Sequence, residues 1–233
     1  MSRVTDVSVN AHLAWQILLL TVALLLACAV AAVVLLILRR RTGLRRVLVA
    51  GAGVIGAYLV ALLVVSVLSG NRRLQPDTRK YICEPECQLS YSFAGLRTGS
   101  LPGTGRVGIV YIRVRSDTAS ASGSPGLIWP GPRRLRLLDA AGREIAPTSP
   151  ERVWGVAGMQ ATLRQPVPPG GAFTAGVPFL MPEGFTPTTV MLTQDAPVTH
   201  LLIGNENSPL HGKAVWEIPR TGSPVSARES PAG

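Results

Sequence analysis

The amino-acid sequence predicts two N-terminal transmembrane helices that form an antiparallel hairpin, followed by an all-β antiparallel sandwich. Two stretches near the start of the 233-residue chain, residues 13–38 and 47–69, are dominated by apolar side chains and contain no charge. A helix of about 20 apolar residues crosses the hydrocarbon core of a bilayer, so each stretch is long enough to span a membrane. From Gly70 onward the chain changes to short β-rich runs separated by prolines and glycines, which is typical of antiparallel sandwiches.

The segment between the two predicted helices, residues 39–46, contains five arginines. Short loops rich in Arg and Lys stay in the cytoplasm, so we expect this loop inside and the N-terminal tail, residues 1–12, outside. Four basic residues between Asn71 and Lys80 favour the reverse orientation, but they are spread over a longer stretch. The predicted localisation is the inner membrane of a bacterium, as a multi-pass protein whose β domain is extracytoplasmic.

The second apolar stretch contains three glycines with the G-x-G-x-x-G spacing of dinucleotide-binding proteins, Gly51, Gly53 and Gly56. In a Rossmann fold these glycines open an amphipathic helix that carries charges on its solvent face. No charge occurs between Val47 and Ser69, and no alternation of further strands and helices follows. We therefore predict that this motif binds no nucleotide.

Small residues recur every four positions along both apolar stretches, so that each carries one small-residue stripe. Such stripes let the backbones of membrane helices approach closely. Counting outward from the loop aligns the two stripes in an antiparallel hairpin. The predicted pairs are Ala31 with Gly53, Ala27 with Ala57, and Ala23 with Ala61. The alternative is that alanine and glycine are simply frequent in this part of the chain.

The β domain is expected over residues 81–219, after a linker at 70–80 and before a polar tail, 220–233, that we expect to be disordered. Alternating apolar residues and turn signals predict roughly six to eight short strands. These strands lie in the runs RVGIVYIRVRS (106–116), RRLRLLDAAGREI (133–145), PVPPGGAFTAGVPFLMP (166–182), TTVMLT (188–193), HLLIG (200–204) and KAVWEIP (213–219). The second run reads as a hairpin that turns between Asp139 and Gly142.

Three segments of this region, LRLLDAAGREI, PVPPGGAF…VPFLMP and LLIGNENSPLH, resemble an extracytoplasmic immunoglobulin-like domain. Such domains occur in uncharacterised bacterial membrane-anchored proteins and in small secreted lipoproteins. The resemblance covers residues 80–218 and implies an immunoglobulin-like sandwich that serves as a binding or structural module. The two-helix anchor departs from the lipoprotein members, which are anchored differently.

Two nearby cysteines, Cys83 and Cys87, are the sharpest local feature of the sequence. In an oxidising compartment they are expected to form a disulfide, and the chain between them must turn because bonded cysteines need Cα atoms within about 7 Å. A C-x-x-x-C after two membrane helices also resembles the oxidase subunit that carries a dinuclear copper centre. The residues after Cys87, QLSYSF, contain neither the His nor the Met that such a site requires. Redox or copper handling by this pair is therefore the alternative function.

The loop GNENSPLHG offers a possible ligand-binding group in Asn205, Glu206, Asn207 and His211, or a series of Asx turns whose side chains bond their own backbone. No catalytic triad or carboxylate pair is visible, and we expect no enzyme activity, cofactor or metal. Residues 71–233 carry 17 basic and 12 acidic side chains, an excess that attracts anionic headgroups or polymers. The expected function is binding or scaffolding in the cell envelope, with membrane lipids and an envelope protein or polymer, and not nucleic acid, as partners.

Overall fold

The computed structural model describes residues 4–5, 11–82, 89–101, 105–117, 127–131, 133–149, 163–194 and 196–219. Within these residues there are two helices, α1 (Ala11–Ile37) and α2 (Arg41–Leu68). The strands are β1 (Val4–Thr5), β2 (Arg72–Leu74), β3 (Arg79–Tyr81), β4 (Leu89–Leu101), β5 (Gly105–Ser116), β6 (Arg133–Asp139), β7 (Glu144–Ile145), β8 (Ala172–Met181), β9 (Pro187–Gln194) and β10 (Ala214–Glu217). The chain forms two compact units, a helical unit (residues 8–71 and 196–213) and a β unit (residues 1–7, 72–195 and 214–233).

The two long apolar helices of the prediction are confirmed, and both are apolar and long enough to cross a membrane. Their connection is shorter than predicted, because α2 already begins at Arg41. Only Leu38, Arg39 and Arg40 separate the helices, and Arg39 adopts a left-handed conformation with φ 53°. The remaining arginines of the predicted loop therefore lie on the first turns of α2.

The shorter connection changes which residues of the two helices meet. A Cβ atom at Gly43 would lie 3.1 Å from the Leu35 side chain, and one at Gly51 would lie 3.8 Å from Cβ of Cys28. A Cβ at Gly53 would meet no atom within 4 Å. The predicted pairs Ala31 with Gly53, Ala27 with Ala57, and Ala23 with Ala61 are not those of the structure. Because the midpoint of the connection moves to Arg39, the partner of each α1 residue lies earlier in α2 than predicted.

The small residues of the predicted stripe are correspondingly exposed, with one exception. Ala31 is half-buried, whereas the other five residues of the two stripes are exposed in the helical unit: Ala23, Ala27, Gly53, Ala57 and Ala61. Gly51, which the sequence singled out only as part of the glycine motif, is half-buried against α1.

The β unit contains two five-stranded sheets, with strand orders β1-β3-β4-β5-β8 and β2-β10-β9-β6-β7. The pairs in the centre of both sheets are antiparallel, as predicted. Two parallel pairs, β1 with β3 and β2 with β10, were not predicted. The predicted hairpin is confirmed, since β6 and β7 are antiparallel neighbours joined by a turn.

One hydrophobic cluster contains residues from both sheets, so the two sheets share a core. Side chains at alternate positions of each strand point into it because successive residues of a strand face opposite sides. The largest fully buried apolar members are Tyr91, Phe93, Ile112, Leu137, Phe179, Phe185, Leu192 and Trp216. Trp216 also satisfies its indole N–H, which donates to the carbonyl of Thr78 at 2.9 Å.

Two parts of the sequence fold differently from the prediction. The run HLLIG is not a strand: Pro197–Leu201 forms a 3₁₀ helix, and turns follow it. Pro197 begins this helix, and the hydroxyl of Thr199 bonds back to the carbonyl of Ala196 at 2.5 Å, a local bond that competes with strand pairing. Residues 70–80, predicted as a linker, contain β2 and β3. The tail 220–233 lies outside the described residues.

Candidate functional site

The predicted ligand-binding loop belongs to residues 196–213, which connect β9 to β10 and form part of the helical unit. We call these residues the β9–β10 segment. Its backbone is a chain of tight turns, each closed by a hydrogen bond from the N–H of one residue to the carbonyl three positions earlier. The donors are Thr199, Leu202, Asn205, Ser208 and His211, at N···O distances of 2.9–3.3 Å. Five backbone N–H groups of the segment are therefore bonded to carbonyls of the segment itself.

The polar side chains of the segment bond mainly to the segment itself. Asn205 Oδ1 accepts from the N–H of Asn207 at 2.9 Å, which is the predicted Asx turn. Asn207 Nδ2 donates to Oγ1 of Thr199 at 2.8 Å, and the hydroxyl of Ser208 donates to the carbonyl of Leu202. Nδ1 of His200 lies 2.6 Å from the carbonyl of Asn207. The loop thus stabilises its own turns.

Three of the four predicted ligand-binding residues, Glu206, Asn207 and His211, form contacts within the protein. Glu206 and Asn207 are buried, and the carbonyl of Glu206 accepts a hydrogen bond from the ammonium of Lys213. His211 Nδ1 is 2.7 Å from the carbonyl of Gly212. Among the described residues, no three His, Cys, Asp or Glu side chains come together as a metal site would require.

The β9–β10 segment packs along the C-terminal half of α2. The hydroxyl of Tyr58 donates to the carbonyl of Leu201. A Cβ atom at Gly204 would lie 3.8 Å from Cγ1 of Val65. Within α2 the buried residues are Leu62 and Ser66, which lie on the same side of the helix as Tyr58.

The end of α2 is joined to the end of the segment by two further hydrogen bonds. Oγ of Ser69 accepts from the N–H of Gly212 at 2.8 Å, and Oδ1 of Asn71 accepts from the N–H of Lys213 at 2.9 Å. The approach is so close that a Cβ atom at Gly212 would overlap the carbonyl carbon and oxygen of Gly70. Glycine is therefore required at position 212, a requirement that sequence reasoning did not find.

The three glycines of the G-x-G-x-x-G motif lie in the interior of α2. The dinucleotide fingerprint instead places its glycines at a turn between a strand and a helix, where backbone N–H groups face the phosphates. Inside a helix those N–H groups are bonded to the preceding turn. Gly51, Gly53 and Gly56 therefore differ in backbone setting from the glycines of that fingerprint.

Cys83 and Cys87 lie outside the described residues, so the disulfide and the copper alternative both stay predictions. The described strands on either side of them are β3 and β4, which are antiparallel neighbours.

A buried lysine is the most unusual side chain of the β unit. Lys80 on β3 is 1% exposed, and its ammonium donates to the carbonyls of Leu192 at 2.6 Å and of Ala214 at 3.1 Å. It also lies 5.8 Å from the ring centroid of Trp216, within the range of a cation–π contact. Leu192 is on β9 and Ala214 begins β10, so the ammonium joins these strands just beyond the last pair of their ladder, Met191 with Val215.

In the sequence, Lys80 is one of four basic residues that follow the second apolar stretch, and its burial was not predicted. In the structure, β3 is half-buried at Arg79 and Tyr81 and buried at Lys80, a pattern of three residues that no sequence period reveals. A strand places residue 80 on the face opposite to residues 79 and 81, and here that face is the core.

Two arginines lie on the outward face of the first sheet, near the end of β5. Arg113 and Arg115 of β5 are exposed and alternate with the buried Ile112 and Val114. Their strand neighbours are serines on β4, since Arg113 is opposite Ser92 and Arg115 opposite Ser90. Neither arginine forms an ion pair with any carboxylate in the part of the chain that the structure describes.

A tyrosine and an aspartate lie near this basic face. The hydroxyl of Tyr81 donates to Oδ2 of Asp117 at 2.6 Å. Burial raises the pKa of Tyr81, and the hydrogen bond to Asp117 raises it further. The carboxylate of Asp117, the residue that follows the end of β5, thus accepts a hydrogen bond from Tyr81.

The hairpin turn between β6 and β7 is stabilised by a second aspartate. Asp139 Oδ1 accepts from the backbone N–H groups of Ala141 and Arg143 at 2.9 Å each, and Oδ2 accepts from Nε of Arg143 at 2.5 Å. Burial acts to raise the pKa of Asp139, but these bonds from Arg143 outweigh it and hold the pKa below its ordinary value. The turn is completed by Gly142, whose φ is 78°.

Comparison with protein-family models, curated proteins and solved structures finds no match to this chain.

Proposed function

We propose that the protein is a membrane-anchored binding or scaffolding module of a bacterial cell envelope. The two helices form an antiparallel hairpin in the inner membrane, with the arginines of residues 39–46 in the cytoplasm. The β unit is an immunoglobulin-like sandwich on the extracytoplasmic side. It binds an anionic envelope polymer through the basic face of its first sheet.

The pairing of β1 with β3 supports two membrane crossings. Val4 and Thr5 precede α1, whereas their partners Arg79 and Lys80 follow α2. Strands that pair in one sheet lie on the same side of a membrane, so the chain between them crosses an even number of times. The arginines at the connection then determine which side this is.

The exposed arginines of β5 are the observation that carries the binding proposal. Residues two apart on a strand point the same way and are about 7 Å apart, so Arg113 and Arg115 present two positive charges at a regular spacing. Thr174 of β8 is opposite Arg113 and also exposed. A polymer with repeated carboxylates or phosphates can contact such a row at several points, and long-range attraction to it is sensitive to salt.

Orientation is tested by labelling single cysteines with a thiol reagent that does not cross membranes. The native cysteines are first replaced, and a new one is placed at Thr42 or at Thr221. In spheroplasts we expect labelling at position 221 and none at position 42. Labelling of position 42 alone would reverse the orientation and place the β unit in the cytoplasm.

Binding is tested with the full chain in nanodiscs and with polygalacturonate, a soluble polymer of regularly spaced carboxylates, as the probe. The double variant Arg113→Gln/Arg115→Gln should bind roughly 2- to 30-fold more weakly, because exposed ion pairs contribute about 0.2–1 kcal/mol each. Arg73→Gln is the matched control, since Arg73 lies on the second sheet and pairs with Glu217 at 3.0 Å. Equal weakening in both variants, or binding that salt leaves unchanged, would contradict the proposal.

A further inference from the structure

The β9–β10 segment lies beside a part of α2 that contains no charged residue and in which Tyr58 and Ser66 are the polar side chains. If Arg46 marks the inner boundary, about 20 residues of helix fill the hydrocarbon core, which brings its outer boundary to Ser66. Tyr58, which bonds to Leu201, lies about 12 Å below Ser66 at 1.5 Å per residue. The carbonyl of Leu201 therefore lies beside the membrane-spanning part of α2 and not beyond its end.

The faces of α2 that the segment leaves uncovered are apolar at this same level. Leu63, Val64 and Val67 are 44%, 50% and 66% exposed in the helical unit. A contiguous apolar surface of this kind is unfavourable in water and favourable in lipid. The segment shares this environment because it contacts the same turns of the helix.

Several apolar side chains of the segment are exposed and several polar ones are buried, although Leu202 is buried and His200 is exposed. Val198, Leu201 and Leu210 are 38%, 52% and 72% exposed. Thr199 and Ser208 are 1% and 2% exposed, and both are hydrogen-bonded within the segment. Irregular backbone is tolerated at membrane depth only where its polar groups are bonded internally, and the five closed turns bond part of the backbone of the segment in this way.

We infer that the β9–β10 segment is inserted in the outer leaflet of the membrane, with Val198, Leu201 and Leu210 in contact with lipid. This inference rests on the membrane anchoring of the proposed function and adds a lipid-binding surface to it. The segment is then a lipid-facing element of the helical unit and not a ligand-binding loop.

The first test uses the unmodified full chain in vesicles of phosphatidylethanolamine and phosphatidylglycerol. A small fraction of the lipid carries a photoactivatable diazirine on its acyl chain, and mass spectrometry locates the adducts. We expect adducts on α1, on α2 and on residues 198–210. Adducts on the helices without any on residues 196–213 would overturn the inference and leave the anchoring intact. Adducts on neither would overturn the anchoring and the inference with it.

The second test measures the depth of single positions with an environment-sensitive fluorophore on a cysteine. A label at Leu201→Cys should be quenched by lipids that carry a quencher in the acyl chain and protected from iodide in the water. A label at Thr98→Cys, an exposed position of β4, is the control and should behave in the opposite way. If Leu201→Cys does not fold, Leu210→Cys replaces it, because Leu210 is the most exposed of the three. Iodide quenching as strong as at position 98 would refute the inference.

Discussion

Replacement of the buried lysine tests the packing of the two sheets most directly. In Lys80→Met the side chain keeps its length and its apolar contacts, while the ammonium disappears. The carbonyls of Leu192 and Ala214 then lose a donor that lies 2.6 Å and 3.1 Å away. We expect the variant to fold with lower stability. The largest local loss of stability is expected at the end of the ladder between β9 and β10.

The size of this loss follows from the two hydrogen bonds and from burial. A buried carbonyl that loses its donor costs about 1–3 kcal/mol, and Lys80→Met leaves two such carbonyls. Removing the ammonium also relieves the cost of burying a charge, which offsets part of this loss. A net loss of about 1–3 kcal/mol is therefore expected. For a domain of this size the melting temperature should fall by about 2–12 °C.

The assay combines thermal melting with the chemical reactivity of the amines. The chain contains only two lysines, Lys80 and Lys213, so each serves as a control for the other. In the folded protein an acetylating reagent should modify Lys213 and leave Lys80 unmodified, whereas in denaturant both should react. Lys213→Met, which removes a partly buried ammonium, should cost about 1 kcal/mol. Acetylation of Lys80 at the rate of Lys213 in the folded protein, or equal melting of Lys80→Met and wild type, would refute the reasoning.

Two further substitutions test the contacts of the helical unit and the pH dependence of the β unit. Gly212→Ala should destabilise the protein by about 1–3 kcal/mol through overlap with Gly70, whereas Gly53→Ala should have no such effect; comparable melting of both variants in detergent would contradict the close approach. The folded-state pKa of Asp139 is below the unfolded value of about 3.9, so its stabilisation is complete above that pH and is lost as the pH falls through the folded value. Asp139→Asn should therefore lessen the loss of stability on acidification, as measured by urea unfolding between pH 5 and about pH 3. The exposed Glu183→Gln is its control, and an acid dependence that Asp139→Asn leaves unchanged would refute the argument.

The longer elements of the fold could be predicted because their periodicity is strong. An uninterrupted apolar run has few alternatives to a membrane helix, and strict alternation in residues 106–116 has few alternatives to a strand. The strands β2 and β3 were missed because three residues are too few to show a period. Their pairing is determined by distant partners such as Ala214, which no local pattern reveals.

The register of the helices was mispredicted for a related reason. The prediction starts the second helix at Val47, after the charged residues, yet arginines are good helix formers, and the first turns of α2 contain three of them. Sequence patterns identify which residues are small, but the length of the connection decides which of them face the other helix. The same limit applies to Lys80, whose burial depends on acceptors from β9 and β10.

The polar residues of GNENSPLHG lie in a different setting from the one that the sequence suggested. Polar residues in a loop ordinarily face water or a ligand, and this expectation made Asn205, Glu206, Asn207 and His211 binding candidates. Here Asn205 and Asn207 bond within the segment, while Leu201 and Leu210 face outward. In water such an arrangement is unfavourable, because exchanging the two sets of side chains would bury the apolar ones. In lipid it is the favourable arrangement. An unbonded polar group is costly there, whereas a leucine gains little from leaving hydrocarbon for the protein interior. The inversion is therefore the physical reason to place this segment in the membrane.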